Sequence, residues 1–205
     1  IDGYLLSKNK TELMIFPPGK ANDRFTLLPP SITKIGDFAF YDCKKLKNVT
    51  IPNKVKSIGK RAFGLCDNLN TITFLCDEVI GPGFISQGGN DAAFDADKGP
   101  QKKMGKIVIY VRKSKLGDYQ TTPFYKKFAM IAPSFTTGTE EYIAVSEKAV
   151  ALLSSTNTNH TFVLPTQITF GPKHFDVSYI GDYAFENISP NVKEVVVKRN
   201  VAYIG

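Results

Sequence analysis

Side chains able to carry out nucleophilic, acid–base or metal chemistry are few in this chain of 205 residues. The two histidines, His160 and His174, lie in polar or Gly/Pro-flanked segments. Neither has a cysteine or carboxylate at the spacing of a nucleophile–base pair or a metal-ligand pair. We therefore interpret both as surface residues, and we expect no enzymatic activity, no metal site and no cofactor.

A cluster of oxygen-bearing side chains spans the end of a Gly/Pro-rich insertion at residues 77–92 and the residues just after it. Asn90, Asp91, Asp95 and Asp97 offer the hard oxygen ligands that calcium prefers. Their spacing lacks the terminal bidentate Glu and the invariant Gly of a calcium loop, so we interpret them as solvated loop residues. The glycines of the insertion lack the Lys-Ser/Thr ending of a phosphate loop, which favours an exposed loop or a ligand-contacting loop.

The three cysteines form an odd set, which argues against a disulfide framework. Cys43 and Cys66 occupy the same position of an internal repeat, so stacking places them about 5 Å apart. A disulfide could span that distance, but we favour two free, buried thiols that act as small hydrophobic residues. Cys76 lies outside this ladder, and the sequence assigns it no role.

Residues 28–50 and 51–73 form two 23-residue blocks that align without a gap and share eight identities. The period falls within the range of about 20–29 residues that is typical of leucine-rich repeats. Each block predicts a short strand, a sharp bend at a glycine and a short helical or irregular segment. Stacked blocks bury one another and align their strands in a parallel sheet. The identical pairs include Ile35/Ile58, Gly36/Gly59, Ala39/Ala62, Phe40/Phe63 and Cys43/Cys66.

Weaker copies of the unit follow. The third contains the insertion and ends in a strand near residues 107–111, and another opens at Leu164 with its Ile180-Gly181 pair nine residues late. The last unit ends halfway through at Gly205, so we expect the chain to be a portion of a longer protein. Apolar residues exposed at this end predict end-to-end self-association: Val195, Val197, Val201 and Ile204.

The string I-P-x-x-V-x-x-I-G-x-x-A-F-x-x-C-x-x-L-x-x-I at residues 51–72 closely resembles the BspA-like leucine-rich repeats. These occur in surface proteins of gut and oral anaerobes and of some parasitic protists. Residues 2–17 are similar to the hairpin that precedes such arrays, and residues 110–128 to the segment that closes them. Arg112 departs from the pattern, because proline is usual there.

The resemblance implies a leucine-rich repeat solenoid of right-handed stacked repeats, with a parallel sheet on its concave face, short helical or irregular convex segments and a hairpin before each array. We divide the chain into two modules, residues 1–133 and 134–205. The first has a hairpin (1–27), repeats (28–111) and a closing segment (112–133); the second has a hairpin (140–165) and degenerate repeats to 205.

The charge balance is 26 basic against 19 acidic residues, a net charge of +7. Hydrophobic residues make up 42% of the chain, which excludes disorder, and no apolar run reaches the ~18–20 residues of a membrane span. The positive charge is concentrated in two runs of the first module, residues 44–61 and 98–115. Lys44, Lys45, Lys54 and Lys56 of the first run should point outward. They indicate either a solvated surface or a patch for an anionic partner.

The outward side chains of the strands are the other candidate ligand contacts, because the concave sheet is the usual binding surface of a horseshoe. From the resemblance we expect a non-catalytic secreted or cell-surface adhesion protein that binds a protein or glycan ligand and no nucleic acid. The alternatives are a structural spacer and an accessory domain attached to an enzyme. The candidate strand residues are Asn48, Thr50, Thr71, Thr73, Val108, Tyr110, Glu194 and Val196.

Overall fold

A computed structural model describes residues 4–20, 26–80, 93–94 and 104–204. The chain divides into two compact units, Ile1–Ala132 and Pro133–Gly205. Each unit contains its own cluster of buried apolar side chains. The described helices are short, and none is long and apolar enough to cross a membrane.

The described part of the first unit contains two sheets, ordered β1-β2-β4-β6 and β3-β5-β7-β8-β9. Each of the blocks 28–50 and 51–73 contributes one strand to each sheet, whereas the sequence predicted one strand per repeat. The strands are β1 (Leu5–Leu6), β2 (Glu12–Ile15), β3 (Thr26–Leu27), β4 (Lys34–Ile35), β5 (Asn48–Ile51), β6 (Ser57–Ile58), β7 (Thr71–Phe74), β8 (Val108–Val111) and β9 (Met130–Pro133).

The repeat period sets the register of both sheets. Strands β5, β7 and β8 are parallel and in register, so that Val49 lies beside Ile72 and Ile72 beside Ile109. In the other sheet Ile35 lies beside Ile58. All five side chains are buried in the first unit's core. The repeat stack predicted from the period is therefore present.

Stacked phenylalanines run through the core of the first unit. The ring centroids of Phe16 and Phe40 are 4.8 Å apart, those of Phe40 and Phe63 are 5.0 Å apart, and those of Phe63 and Phe94 are 5.3 Å apart. Phe94 belongs to the third repeat. Its ring joins the stack although residues 77–92 are inserted before it. One aromatic side chain per repeat thus ties each turn to the next.

The glycine of each repeat opens a tight turn, since Ala39 donates to the Gly36 carbonyl and Ala62 to the Gly59 carbonyl, each at 3.3 Å, and it also permits close packing of the backbone. The amide of Gly59 donates to the carbonyl of Ile35 at 2.8 Å, and a Cβ at Gly59 would lie 2.5 Å from the backbone nitrogen of Asp37. The left-handed conformation occurs two residues later, at Phe38 (φ 58°) and Arg61 (φ 50°). A side chain at the glycine would therefore push two repeats apart.

The closing segment covers the end of the first unit. A 3-10 turn at Lys113–Lys115 leads into helix α1 (Leu116–Thr121), a second 3-10 turn at Tyr125–Lys127 follows, and the chain then enters β9. Tyr119 is fully buried in the core cluster of the first unit. The apolar side chains of the segment therefore seal the repeats beneath them.

The described second unit contains one sheet ordered β10-β11-β12-β15-β14, with β17 beside β15, and a parallel pair formed by β13 and β16. The outer strands β10 and β14 approach each other, since the rings of Phe135 and Phe170 stack at 4.2 Å. This sheet is therefore curled. Its strands are β10 (Phe135–Thr137), β11 (Glu140–Ala144), β12 (Ala149–Ser155), β13 (Thr161–Val163), β14 (Gln167–Phe170), β15 (Lys173–Ile180), β16 (Glu194–Val196) and β17 (Tyr203–Ile204).

The late Ile180-Gly181 pair has a structural cause. The extra residues form β14 and the first part of β15, which pair as an antiparallel hairpin. Gly171 occupies the turn with φ +58°. An inserted hairpin thus delays the repeat pattern, and Ile180 still lies beside Ile204 in the parallel register of the repeats.

Candidate ligand-binding surface

The four polar side chains predicted to line the exposed strand face are buried. Exposure is 6% for Asn48, 2% for Thr50, 3% for Thr71 and 0% for Thr73. The expectation that they point outward into solvent was wrong. They form two rows across β5 and β7, with Asn48 beside Thr71 and Thr50 beside Thr73.

The burial follows from strand spacing and side-chain size. Both β5 and β7 are internal strands, and neighbouring strands lie about 4.8 Å apart. A short side chain between two such neighbours has little contact with solvent. The hydroxyl of Thr50 is buried without a hydrogen-bond partner in the described part of the chain.

The remaining strand candidates are more accessible. Val108 and Tyr110 on β8 are half-buried and continue the two rows. In the second unit, Glu194 is exposed, and its carboxylate accepts a hydrogen bond from the Thr161 hydroxyl at 3.3 Å. Val196, on the same strand, is half-buried. Binding at the strand candidates stays a prediction, for which Tyr110 offers more accessible surface than the threonines.

The candidate lysines form two groups at opposite ends of β5. The leading group, Lys44 and Lys45, precedes the strand, and the trailing group, Lys54 and Lys56, follows it; all four are exposed. The four residues of β5 separate the groups by about 13 Å at 3.3 Å per residue. The separation exceeds the Debye length of about 8 Å at physiological salt, so the two groups act as separate charges.

Ion pairs reduce the available charge only in part. Lys44 Nζ lies 3.2 Å from a carboxylate oxygen of Asp42, and both side chains are exposed. In the second basic run, the Arg112 guanidinium donates to the carbonyl of Leu75 at 3.0 Å and lies 3.4 Å from the Asp77 carboxylate. Arg112 therefore links neighbouring repeats. Lys98, Lys102 and Lys103 of that run lie outside the described residues.

Cys43 and Cys66 are free and buried, as the favoured interpretation held, and Cys76 is also free and buried. Cys43 donates to the carbonyl of Phe16 at 3.7 Å, and Cys66 to that of Phe40 at 3.0 Å. Cys76, whose role the sequence did not reveal, donates to the carbonyl of Pro52 at 3.2 Å.

Burial disfavours the thiolate form at two of these positions. It raises the pKa of Cys43 to about 11 and that of Cys76 to about 12. These thiols are therefore poor nucleophiles at neutral pH, and each donates to a carbonyl of the preceding hairpin or repeat.

The repeat units described above match a known family. The model of the BspA type leucine rich repeat region matches residues 23–82 and 157–205 in six copies, which is just over half of the chain. The chain belongs to this family. The matched residues lie in both compact units of the chain.

Two solved structures resemble this BspA-type chain. The pneumococcal vaccine antigen PcpA is 16% identical with a TM-score of 0.32, and the match covers 97% of this chain and 47% of that protein. A leucine rich cell surface protein of Faecalibacterium prausnitzii is 14% identical with a TM-score of 0.32, and the match covers 97% of this chain and 75% of that protein. The chain thus spans about half the length of the first. No curated protein matches the chain.

The remaining candidates for chemistry in this BspA-type chain are the two histidines and the calcium-ligand candidates. His174 is exposed, with Nδ1 at 2.9 Å from the Thr169 hydroxyl, and His160 is also exposed. Within the described ranges, no group of three or more His, Cys, Asp or Glu side chains could hold a metal ion. The calcium candidates lie outside those ranges: Asn90, Asp91, Asp95 and Asp97.

Proposed function

We propose that this BspA-type chain is a non-catalytic binding module, secreted or held at a cell surface, which recognises an anionic protein or glycan. The observation that carries the proposal is the placement of the two lysine groups on a rigid repeat scaffold. Lys45, Lys54 and Lys56 are exposed and form no ion pair with another described residue. Their charge is therefore available to a partner.

The scaffold holds these lysines at fixed positions. Each group comes within two residues of a buried anchor, Cys43 directly before the leading group and Pro52 two residues before the trailing group. The chain between the groups is the buried strand β5. A partner that carries negative charges at a similar spacing can engage both groups without reordering the backbone, which lowers the entropic cost of binding.

Sulfated glycans and acidic protein segments present such charges. Proteins that bind single-stranded nucleic acid stack its bases on aromatic side chains, and residues 46–53, between the two lysine groups, contain none. Membership of the family supports an extracellular or surface location. Long-range attraction by exposed lysines should raise the association rate and make binding sensitive to salt.

The test is retention on a heparin matrix as the salt concentration rises. The variants are Lys44→Glu/Lys45→Glu, Lys54→Glu/Lys56→Glu and the combination of all four. We expect each double variant to elute at lower salt than the unchanged chain, and the quadruple variant to pass through at low salt. Unequal losses would identify the group that makes the larger contribution.

The double variant Lys126→Glu/Lys127→Glu is the matched control, because it changes two exposed lysines of the same unit by the same charge. It should elute close to the unchanged chain if the lysines beside β5 form the patch. An equal loss of retention in the control would show that retention depends on net charge and not on the lysines beside β5. Flow-through of the unchanged chain at low salt would disprove the proposal.

The buried strand face favours a second candidate function, a structural spacer that presents another domain. Because Asn48, Thr50, Thr71 and Thr73 offer almost no accessible surface, the sheet itself provides few ligand contacts. A spacer predicts that the charge variants change no binding property of the chain. An accessory domain attached to an enzyme makes the same prediction, so the heparin test separates binding from both.

A further inference from the structure

Four segments of the chain carry the sequence Asn-x-Ser/Thr, in which the middle residue is not proline. They are residues 9–11, 48–50, 159–161 and 187–189. In secreted proteins an asparagine in this motif is the acceptor for an N-linked oligosaccharide, provided that it lies at the surface. The fold therefore decides which of the four asparagines can carry a glycan.

The motif at residues 48–50 lies inside a sheet. Asn48 opens strand β5 and is 6% exposed, with Thr71 of β7 beside it. Strand β5 also pairs with β3 on its other side, and neighbouring strands lie about 4.8 Å apart. A glycan on the Asn48 side chain would displace the neighbouring strand, so this motif cannot be occupied in the folded chain.

The motif at residues 9–11 lies in the exposed turn between β1 and β2. The Lys10 amide donates to the Ser7 carbonyl at 2.8 Å, which closes the turn, and Asn9 is exposed. The side-chain oxygen of Asn9 accepts hydrogen bonds from the Ser7 hydroxyl at 2.7 Å and from the Thr11 backbone amide at 3.4 Å. Because a backbone N–H can only donate, Oδ1 faces the turn. The nitrogen Nδ2, the atom that would carry a glycan, therefore points away from these two donors.

The motif at residues 159–161 lies between β12 and β13. Asn159, His160 and Thr161 are all exposed. The Asn159 amide donates to Oδ1 of Asn157 at 2.9 Å, which holds the backbone of the segment without using the Asn159 side chain. A glycan on Asn159 would extend into solvent and leave this backbone contact in place.

The motif at residues 187–189 is less suited to transfer. Asn187 is exposed, but Pro190 directly follows Ser189 and restricts the Ser189 backbone to extended conformations. The other two exposed motifs are followed by Glu12 and Phe162, which impose no such restriction.

We propose that Asn9 and Asn159 are acceptor sites for N-linked glycans, one in each compact unit. This assignment rests on the secretion proposed above, because the transferase and its lipid-linked donor act in the secretory pathway. In the transfer, Nδ2 of the asparagine forms a bond to the anomeric carbon of the donor sugar. The bond between that carbon and a pyrophosphate oxygen breaks, and the lipid pyrophosphate leaves with the electron pair. Nδ2 loses one proton to a base of the transferase.

The test is secretion of the chain from a eukaryotic cell line behind a cleavable signal peptide. The N-glycans are then released by an amidase in isotopically labelled water. Release converts each occupied asparagine into a labelled aspartate, which mass spectrometry of peptides locates. We expect the label at Asn9 and at Asn159 and no label at Asn48.

Substitutions at the hydroxyl residue test the motif itself. Thr11→Ala should abolish the label at Asn9 and leave that at Asn159, and Thr161→Ala should do the reverse. Thr11→Ser and Thr161→Ser keep the hydroxyl and should retain the label. Thr50→Val is the matched control, because it removes the buried motif and should leave both labels unchanged.

An unlabelled Asn9 or Asn159 in the secreted chain would overturn the proposal. A label at Asn48 in a chain that keeps its thermal unfolding transition would also overturn it, because burial would then not decide which motif is used. Translation into microsomal vesicles gives the same measurement for a variant that is not secreted. Heparin retention of the chain made without glycans in a bacterial host tests the lysine groups separately, so either proposal can fail while the other holds.

Discussion

At the scale of single residues, the buried hydroxyls of the strand face are the main departure from expectation. Thr50 Oγ1 has no hydrogen-bond partner among the described residues, whereas Thr73, its neighbour on β7, is engaged in a further interaction. An unsatisfied buried hydroxyl costs about 1–3 kcal/mol. The same side chain in adjacent repeats should therefore contribute differently to stability.

The substitution Thr50→Val removes the unsatisfied hydroxyl and keeps the shape of the side chain. We expect it to raise the free energy of unfolding by about 1 kcal/mol, measured by urea denaturation of the unchanged and variant chains. Thr73→Val is the matched control and should lower that free energy. Destabilisation by both substitutions would mean that the Thr50 hydroxyl has a partner in solution.

At the scale of repeats and strands, the sequence predicted the parts that depend on period and apolar spacing. The 23-residue period placed Val49 beside Ile72, and stacking of Phe40 on Phe63 follows from the same repeat. Exposure could not be predicted in this way, because the burial of Thr50 depends on the strands packed on both sides of β5. Nor did the pattern reveal the short strands β4 and β6, whose two residues each are too few for an alternating pattern.

Successive repeats approach each other closely at Gly59, so we expect a side chain at this position to destabilise the fold. In Gly59→Ala the new Cβ would meet the Asp37 backbone nitrogen at 2.5 Å and the Asp37 carboxylate at 2.3 Å. Because backbone atoms cannot move aside locally, we expect a loss of about 3 kcal/mol in the free energy of unfolding.

Gly117→Ala provides the control, since Gly117 lies in α1 and its Cβ would meet nothing within 4 Å. It should leave the free energy of unfolding unchanged or raise it by up to about 1 kcal/mol, because alanine favours helix. Thermal unfolding followed by circular dichroism measures both variants. A Gly59→Ala variant as stable as Gly117→Ala would contradict the packing role assigned to the repeat glycine.

At the scale of the whole chain, the two units differ in how their edges are covered. The closing segment of the first unit buries Tyr119 and Tyr125 over the last repeat. In the second unit, β16 pairs only with β13 and β17 only with β15 among the described strands. The division into modules at residues 133 and 134 stays a prediction.

A half-buried carboxylate with one buried oxygen lies near β17 in the second unit. Asp37 Oδ1 accepts the backbone amide of Lys60, in the following repeat, at 2.9 Å. Asp182 occupies the same repeat position, and its Oδ1 is buried without a partner in the described part of the chain. Two residues of β16 and β17 add exposed apolar surface, Val195 (36% exposed) and Ile204 (60% exposed).

These features support the proposal that the chain associates end to end through β16 and β17, since a second molecule can supply both the strand and the donor. Sedimentation velocity over a wide range of protein concentrations should show a concentration-dependent increase in the sedimentation coefficient. Val195→Lys/Ile204→Lys and Asp182→Ala should each reduce that increase. Met130→Lys, which charges an exposed apolar residue on β9 (54% exposed), should leave it intact. If the sedimentation coefficient keeps the value of a monomer at every concentration, the contacts made by β16 and β17 do not outweigh the entropy lost on association, and the proposal is wrong.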